Sequence, residues 1–258
     1  MEKLSKTKQT LISSLSQRKM RQRHRLYIVE GDKSVREVIN NDNLRILIAT
    51  DEWLEKNPNL RSDIEIYQAN NTQMAKISGF SNASEVLAVL SMRDVVKPIS
   101  QISIDVNQLY LMLDGIQDPG NMGTIIRTAD WFGIKTIIAS LDTVDVYNPK
   151  VIQSSMGSLQ RVEVIYCELP DLLISLKNKL PIYATLLNGE DIYNSHLTRN
   201  GIIILGNEGR GISESLRQYI NYGLKILPFD EGNCPDSLNV AVAAGIVIAE
   251  FRNASIIS

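Results

Sequence analysis

A chain of 258 residues with 44% hydrophobic and 22% charged side chains is ordinary globular material, long enough for one large domain or two modest ones. Its formal net charge of −2 hides an asymmetry: residues 1–100 carry 16 Lys/Arg against 12 Asp/Glu and residues 101–258 carry 11 against 17, so the halves sum to +4 and −6. Cys167 and Cys234 lie far apart without metal-ligand companions, the first thirty residues contain no apolar core of signal-peptide length, and the longest apolar run, within Val240–Ala249, is too short to span a bilayer, so we expect a cytoplasmic protein with reduced thiols, no membrane partner and no metal.

The positive excess is concentrated before Val38. Residues 3–22 are polar and basic, with Leu4, Leu11, Ile12 and Leu15 as a thin apolar stripe at helical spacing, which predicts a basic amphipathic helix. Such a charge run is either a solvated face or a polyanion contact. The density of SQRKMRQRHR at 16–25 makes Arg18, Lys19, Arg21 and Arg23 candidate nucleic-acid contacts, with His24 a passenger. Short alternations follow: RLYIVE, LRILIA, IEIYQA and SEVLAVLSM read as strands, and GDKSVREVIN, DEWLEKNP and NTQMAKISGF as helices, together a small α/β sandwich over residues 1–95. Residues 96–106, with Pro98 and no sustained period, read as a linker.

Residues 107–258 alternate buried strands (LYLML, KTIIAS, RVEVIY, PIYATLL, GIIILG, GLKIL) with helical stretches at 120–132, 149–158, 168–179 and 213–220. Continuous apolar strands between helices predict a parallel sheet covered on both faces. The closing SLNVAVAAGIVIAEF is apolar on nearly all sides and reads as a buried helix with Ser237 as N-cap and Ala243, Ala244 and Gly245 open to a close backbone neighbour.

Three loops each leave the carboxyl end of a strand, the usual ligand edge of an open α/β sheet. DGIQDPGN leads into TIIRTADWF, where Gly120, Asn121 and Gly123 open a helix and Arg127 sits where the helix dipole does not favour a cation. LGNEGRGIS at 205–213 carries Glu208; its G-x-x-G-x-G spacing is neither a dinucleotide fingerprint nor a P-loop, which argues against a nucleotide-dependent oxidoreductase. ILPFDEGNCPDSLNVAVAAG joins the last strand to the final helix through a loop with Gly232 and Pro235. Each loop by itself also reads as plain turn geometry.

Taken together, PGNMGTIIRTADWFG at 119–133, NPKVIQSSMGSLQRV at 148–162, ILGNEGRGIS at 204–213 and LPFDEGNCPDSLNVAVAAGI at 227–246 resemble the SpoU family of RNA ribose 2′-O-methyltransferases of the SPOUT superfamily, TrmH-like enzymes. Residues 1–95 resemble the L30e-like RNA-binding domain that precedes the catalytic domain in many members. The resemblance implies a deep trefoil knot in an α/β catalytic domain over 107–258, a homodimer formed through that domain, S-adenosylmethionine as cofactor and RNA as partner, ribosomal RNA favoured over tRNA. It implies catalytic roles for Asn121, Arg127, Glu208, Ser237 and Asn239. It also implies cofactor contacts from Gly206, Asn207, Leu227 and Leu238, with Leu186 and Leu187 in the preceding loop. Three positions depart from the family pattern: Phe229 follows Pro228 where Met is common, Asp236 precedes Ser237 where Glu is common, and Gln153 replaces a common Arg.

Methyl transfer to a ribose hydroxyl needs that hydroxyl aligned and relieved of its proton as the bond forms. A guanidinium stays protonated, which suits Arg127 to stabilising developing negative charge and leaves Glu208 or a water to take the proton. Asn121 and Asn239 suit orientation, since an amide both donates and accepts. A non-catalytic RNA-binding protein retaining the knotted scaffold is the alternative.

Overall fold

The structure, a computed structural model, describes residues 2–230 and 235–257, with side chains as far as Ala254; the expected loop glycine Gly232 and the thiol of Cys234 lie outside the described residues. The chain forms two compact units, Met1–Arg93 with Asp145–Gln160, and Asp94–Val144 with Arg161–Ser258.

The first unit runs β1 (Glu2–Lys3), α1 (Lys6–Ser14), α2 (Arg18–His24), β2 (Leu26–Glu30), α3 (Asp32–Val38), β3 (Leu44–Ala49), α4 (Asp51–Lys56), β4 (Glu65–Gln68), α5 (Asn71–Ile77) and β5 (Val86–Ser91). Its sheet has the order β1-β4-β3-β5-β2, with β5 antiparallel to both neighbours. Ile46, Ile48, Leu87 and Val89 pack with Ile12 of α1 and Met74 and Ile77 of α5. Strand alternation sends Leu47, Ala88 and Leu90 to the other face, where they are buried too. Burial on both faces is why VLAVL and, past the exposed Arg45, ILIA read as continuous apolar runs.

The single basic helix expected over residues 3–22 is two helices. Ser13, Ser14 and Ser16 hydroxyls donate back to the carbonyls of Gln9, Leu11 and Ser13, and Nη1 of Arg21 donates to the carbonyls of Leu15 and Ser16. Side-chain donors thus occupy carbonyls around the break, and serine back-bonding of this kind competes with the helical ladder. The same bonds correct the assignment of Arg21 as an RNA contact. It is only 3% exposed, and its Nη2 meets the Asp145 carboxylate at 2.7 Å within the same unit. Arg18, Lys19 and Arg23 are exposed.

The second unit continues with β6 (Leu109–Asp114), α6 (Pro119–Trp131) and β7 (Thr136–Ala139). After α7 (Pro149–Ser155), which belongs to the first unit, come β8 (Glu163–Tyr166), α8 (Leu169–Ser175), β9 (Ile182–Asp191), β10 (Gly201–Gly206), α9 (Glu214–Arg217), β11 (Tyr222–Lys225) and α10 (Val240–Ile257). All neighbours in the sheet β11-β9-β10-β6-β7-β8 are parallel. Tyr110, Met112, Ile202 and Ile204 pack on one face against Leu169, Leu172 and Leu173 of α8 and Leu216 of α9. Helices α6 and α10 pack against each other, α10 also contacting β10, and Phe251 of α10 meets Tyr183 of β9 edge-on with ring centroids 4.8 Å apart. The stretch before β6 is not a bare linker: Val96 bridges to Tyr166 at the end of β8, and Ile99–Gln101 form a 3-10 turn.

Two expectations for the last helix change. Its cap is Asn239, whose Oδ1 accepts from the N–H groups of Ala241 and Val242 at 2.9 and 3.3 Å, while Ser237 lies exposed in the preceding loop. Nor is the helix buried all round. Ala241, Ala244, Val247, Ile248 and Phe251 face inward, whereas Val242 is exposed and Ala243, Gly245 and Ile246 are half-buried. Gly245 lies beside α6, where an added Cβ would meet the Thr128 methyl at 4.0 Å. Among the described residues no helix is long and apolar enough to cross a membrane.

Removing the Arg21 guanidinium strands the Asp145 carboxylate in a largely buried position. Arg21→Ala should therefore lower unfolding stability by roughly 3 kcal/mol. Neutralising exposed Arg18, Lys19 and Arg23 should leave stability within about 0.5 kcal/mol while lowering the log–log salt slope of RNA binding by roughly 0.7–0.9 for each phosphate interaction removed. Denaturant unfolding and salt titrations of binding check both; an unchanged slope would make this segment a solvated face.

Candidate active site

In a parallel sheet all strands end on the same edge, and here β6 and β10 end level, Gly206 paired with Asp114. Asp114 is buried and accepts from the Ser213 N–H at 2.6 Å and its hydroxyl at 2.9 Å, tying the loop after β10 to the end of β6. This carboxylate was not among the expected site residues. Its signal in the sequence is a charge closing an otherwise apolar strand, LYLMLD.

The first loop turns at Gly115, whose φ of +71° favours glycine, and enters α6 through Pro119 at its first turn. Asp118 caps this helix by accepting from the Asn121 N–H at 2.8 Å, which leaves the Asn121 side chain available to the site. The second loop is the tight turn after β10. Asn207 exchanges both backbone hydrogen bonds with Gly211, its Oδ1 accepts from the N–H groups of Gly209 and Arg210, and its Nδ2 donates to the Gly115 carbonyl at 2.6 Å. Asn207 is thus consumed in holding the turn, and Glu208 at its tip is exposed. The third loop ends at Asn239.

Side chains of all three loops meet. Asn121 Nδ2 donates to Glu208 Oε1 at 2.9 Å, and Asn239 Nδ2 donates to Asn121 Oδ1 at 2.9 Å. The structure therefore brings together Asn121, Glu208 and Asn239, with Gly206 and Asn207 directly behind Glu208. Arg127 is exposed on α6. Six residues beyond Asn121, it lies about 120° round the helix and about 9 Å along it, so the two side chains leave different faces. Among the described residues no hydrogen bond joins Ser237 to this trio.

The expected cofactor leucines gather at the same edge. Between β9 and β11 the register jumps, Ala184 opposing Gly223 and Glu190 opposing Leu224, so Thr185 to Gly189 bulge out of the sheet. Leu186 and Leu187 lie on that bulge. An added Cβ on Gly223 would come within 2.9 Å of the Leu186 Cδ1, a close approach that glycine permits. Leu187 is 72% exposed, Leu227 41% and Leu238 50%. Exposed leucines and a polar hydrogen-bonded centre on loops of one sheet suit a ligand with an apolar face and a polar rim, which is what an adenosine offers. A separate cavity of about 280 Å³ is lined by Asp114, Asp142, Cys167 and Glu168 among others. The Cys167 thiol there is pushed up to about 11, by burial first and then by the charges of Glu168 and Asp171, so it stays protonated.

Residues 108–249 match the model of the SpoU rRNA methylase family, and residues 6–88 match that of the MRM3-like substrate-binding domain. The chain is 27% identical over 240 residues to the Bacillus subtilis 23S rRNA (guanosine(2553)-2′-O)-methyltransferase RlmP, covering 92% of this chain and 93% of that one. It also matches a TrmH-family protein from Porphyromonas gingivalis with a TM-score of 0.85 and 34% identity, over 97% of this chain and 98% of that one. An AdoMet-bound rRNA methyltransferase from Sinorhizobium meliloti has the same fold, with a TM-score of 0.83 and 24% identity over 98% of this chain and 97% of that one.

The chain is thus a methyltransferase whose cofactor is S-adenosylmethionine. The chain belongs to the SpoU family of RNA ribose 2′-O-methyltransferases.

An added Cβ on Gly206 would stand 2.4 Å from the Gly211 carbonyl carbon and 2.6 Å from the Ile212 nitrogen, both backbone atoms that cannot step aside cheaply. Gly206→Ala should therefore displace the turn that carries Glu208. Calorimetry should find S-adenosylmethionine affinity lowered by at least about tenfold, which is about 1.4 kcal/mol; unchanged affinity would separate this turn from the cofactor site.

Proposed function

We propose that this protein methylates the 2′-hydroxyl of a ribose in folded ribosomal RNA, in preference to tRNA. The observation that carries the reading is the hydrogen-bonded trio Glu208, Asn121 and Asn239, which joins three strand-end loops of a sheet whose loops also leave Leu187, Leu227 and Leu238 exposed. The similarity to RlmP along nearly the whole chain supports ribosomal RNA as substrate. The domain limits that go with the reading are an L30e-like RNA-binding domain at 1–95, a connecting segment at 96–106 that carries the Val96 bridge and the 3-10 turn, and a trefoil-knotted catalytic domain at 107–258, in a cytoplasmic enzyme needing no metal.

In this reading Leu186, Leu187, Leu227 and Leu238 flank the adenosine, while Gly206 and Asn207 shape the backbone behind it. Bound S-adenosylmethionine supplies a methyl group on a sulfonium that departs as a neutral thioether. Arg127 stabilises the charge that develops on the ribose oxygen or the neighbouring phosphate, a role suited to a planar guanidinium that stays protonated. Ser237, exposed in the loop before Asn239, keeps the catalytic role that the family motif gives it.

Arg127 is exposed and leaves a different face of α6 from Asn121, and this supports action across a homodimer. Trp131, 85% exposed, and Val242 lie on the outer sides of α6 and α10, the apolar surface that a second copy would cover. Arg127 and Thr124 are the exposed polar residues of that side of α6.

Calorimetry in the presence of chelator should register S-adenosylmethionine binding. Arg127→Ala should keep that binding and lose about 10²–10³ in turnover, with Arg127→Lys a poor rescue. Mixing Arg127→Ala with Gly206→Trp protein should restore part of the activity if the arginine serves the partner's site. Absence of cofactor binding would favour an RNA-binding scaffold without catalysis, and near wild-type turnover by Arg127→Ala would remove its assigned role.

A further inference from the structure

Amide side chains have a direction, and in this site the direction is fixed by groups that cannot reverse. The N–H groups of Ala241 and Val242 can only donate, so the Asn239 atom they meet is its oxygen and its outward atom is Nδ2. Asn239 Nδ2 can only donate in turn, so the Asn121 atom 2.9 Å away is Oδ1, and Asn121 presents Nδ2 to Glu208. The order of donors runs from the first turn of α10 through two amides and ends on a carboxylate, which accepts on Oε1. Among the described residues Glu208 Oε2 carries no hydrogen bond.

We propose that Glu208 is the base of the reaction, accepting the ribose 2′-hydroxyl proton on Oε2, and that Asn239 is a positioning residue that sets the Asn121 amide and through it the carboxylate. The proposal rests on the methyltransferase reading above. As the ribose oxygen gives its electron pair to the methyl carbon and the carbon–sulfur pair returns to sulfur, the hydroxyl proton passes to Oε2 and then to water, so charge and atoms balance without a further reactant.

Among the described residues, the alternatives on these loops are occupied or of the wrong kind, Asp230 and Asp236 of the third loop apart. Arg127 has no acceptor, and Asn121 and Asn239 are neutral amides already engaged. Asp114 is held by Ser213, Asp118 caps α6, and Asp142 accepts from Ser140 at 2.6 Å and faces Arg210 at 3.3 Å. Asp236, exposed three residues before Asn239, takes no part in the relay.

The test uses the full-length protein with ribosomal RNA substrate. Glu208→Gln keeps the acceptor oxygen for Asn121 and removes the basic one. Turnover should fall by about 10²–10⁴ and the loss of rate on acidification should vanish, while calorimetric affinities for S-adenosylmethionine and RNA stay within about twofold, less than about 0.5 kcal/mol.

Asn239→Asp supplies the second arm. A carboxylate caps α10 as well as an amide does, so the melting temperature should hold, whereas Asn239→Ala should lower it. The aspartate offers Asn121 only acceptors, which turns the Asn121 amide over and sets its oxygen against Glu208. The Asn121 side-chain amide resonances should shift, and turnover should fall about tenfold or more.

A Glu208→Gln enzyme turning over within threefold of wild type, a retained acid limb, Asn121 resonances unmoved in Asn239→Asp, or a loss confined to Asp236→Asn would each overturn the proposal. If the wild type binds no S-adenosylmethionine the methyltransferase reading falls and the proposal with it. If the wild type methylates RNA and Glu208→Gln does so equally well, the proposal alone falls.

Discussion

The level ending of β6 and β10 is the constraint on which the site depends. Their six-residue register, from Gly201 opposite Leu109 to Gly206 opposite Asp114, puts two loops side by side at one edge. Asn207 can therefore reach the Gly115 carbonyl and Asp114 can reach Ser213. A slip of one residue would turn every side chain of β10 to the opposite face and break both hydrogen bonds. With the register fixed, the Glu208 turn and the start of α6 have no freedom to part. The first turn of α10, fastened to Asn121 through Asn239, completes the assembly.

That assembly explains why so polar a centre tolerates exposure. Asn121, Glu208 and Asn239 are surface groups whose hydrogen bonds would be worth little if each stood alone, since water competes for them. Here every member sits on or bonds to an ordered backbone: Asn121 in the first turn of α6, Glu208 in the Asn207 turn, Asn239 through its bonds to the first turn of α10. The ordering entropy is met by the fold before any ligand arrives, which is what preorganisation means for a site of this kind. The bare leucines nearby are the complementary feature, apolar surface held at the sheet edge by the β9 bulge and by the loop after β11.

Much of this was legible in the sequence because it is local. Strands buried on both faces announce themselves as GIIILG and LYLML, and PGNMGTIIR, LGNEGRG and SLNVAVAAG carry their turn and helix signals within a few residues. What the sequence concealed is long-range. Arg21 reads as one of a row of basic side chains, yet it is buried because Asp145, 124 residues away, meets it. Asn239 donates to Asn121 across 118 residues, so neither periodicity nor propensity could say which of Ser237 and Asn239 would cap α10. The break between α1 and α2 was visible in principle, since a helix that ends in Ser13, Ser14 and Ser16 brings its own competitors for backbone carbonyls.

The central claim is that this chain places a methyl group on a ribose of ribosomal RNA, and site-resolved mapping of 2′-O-methylation tests it most directly. Total RNA from cells with and without the gene would be compared, with the wild-type gene restored in a third sample. The account predicts that a ribosomal RNA ribose loses its methyl group when the gene is absent and regains it on restoration. Unchanged ribosomal RNA methylation, or a loss found only in tRNA, would contradict it.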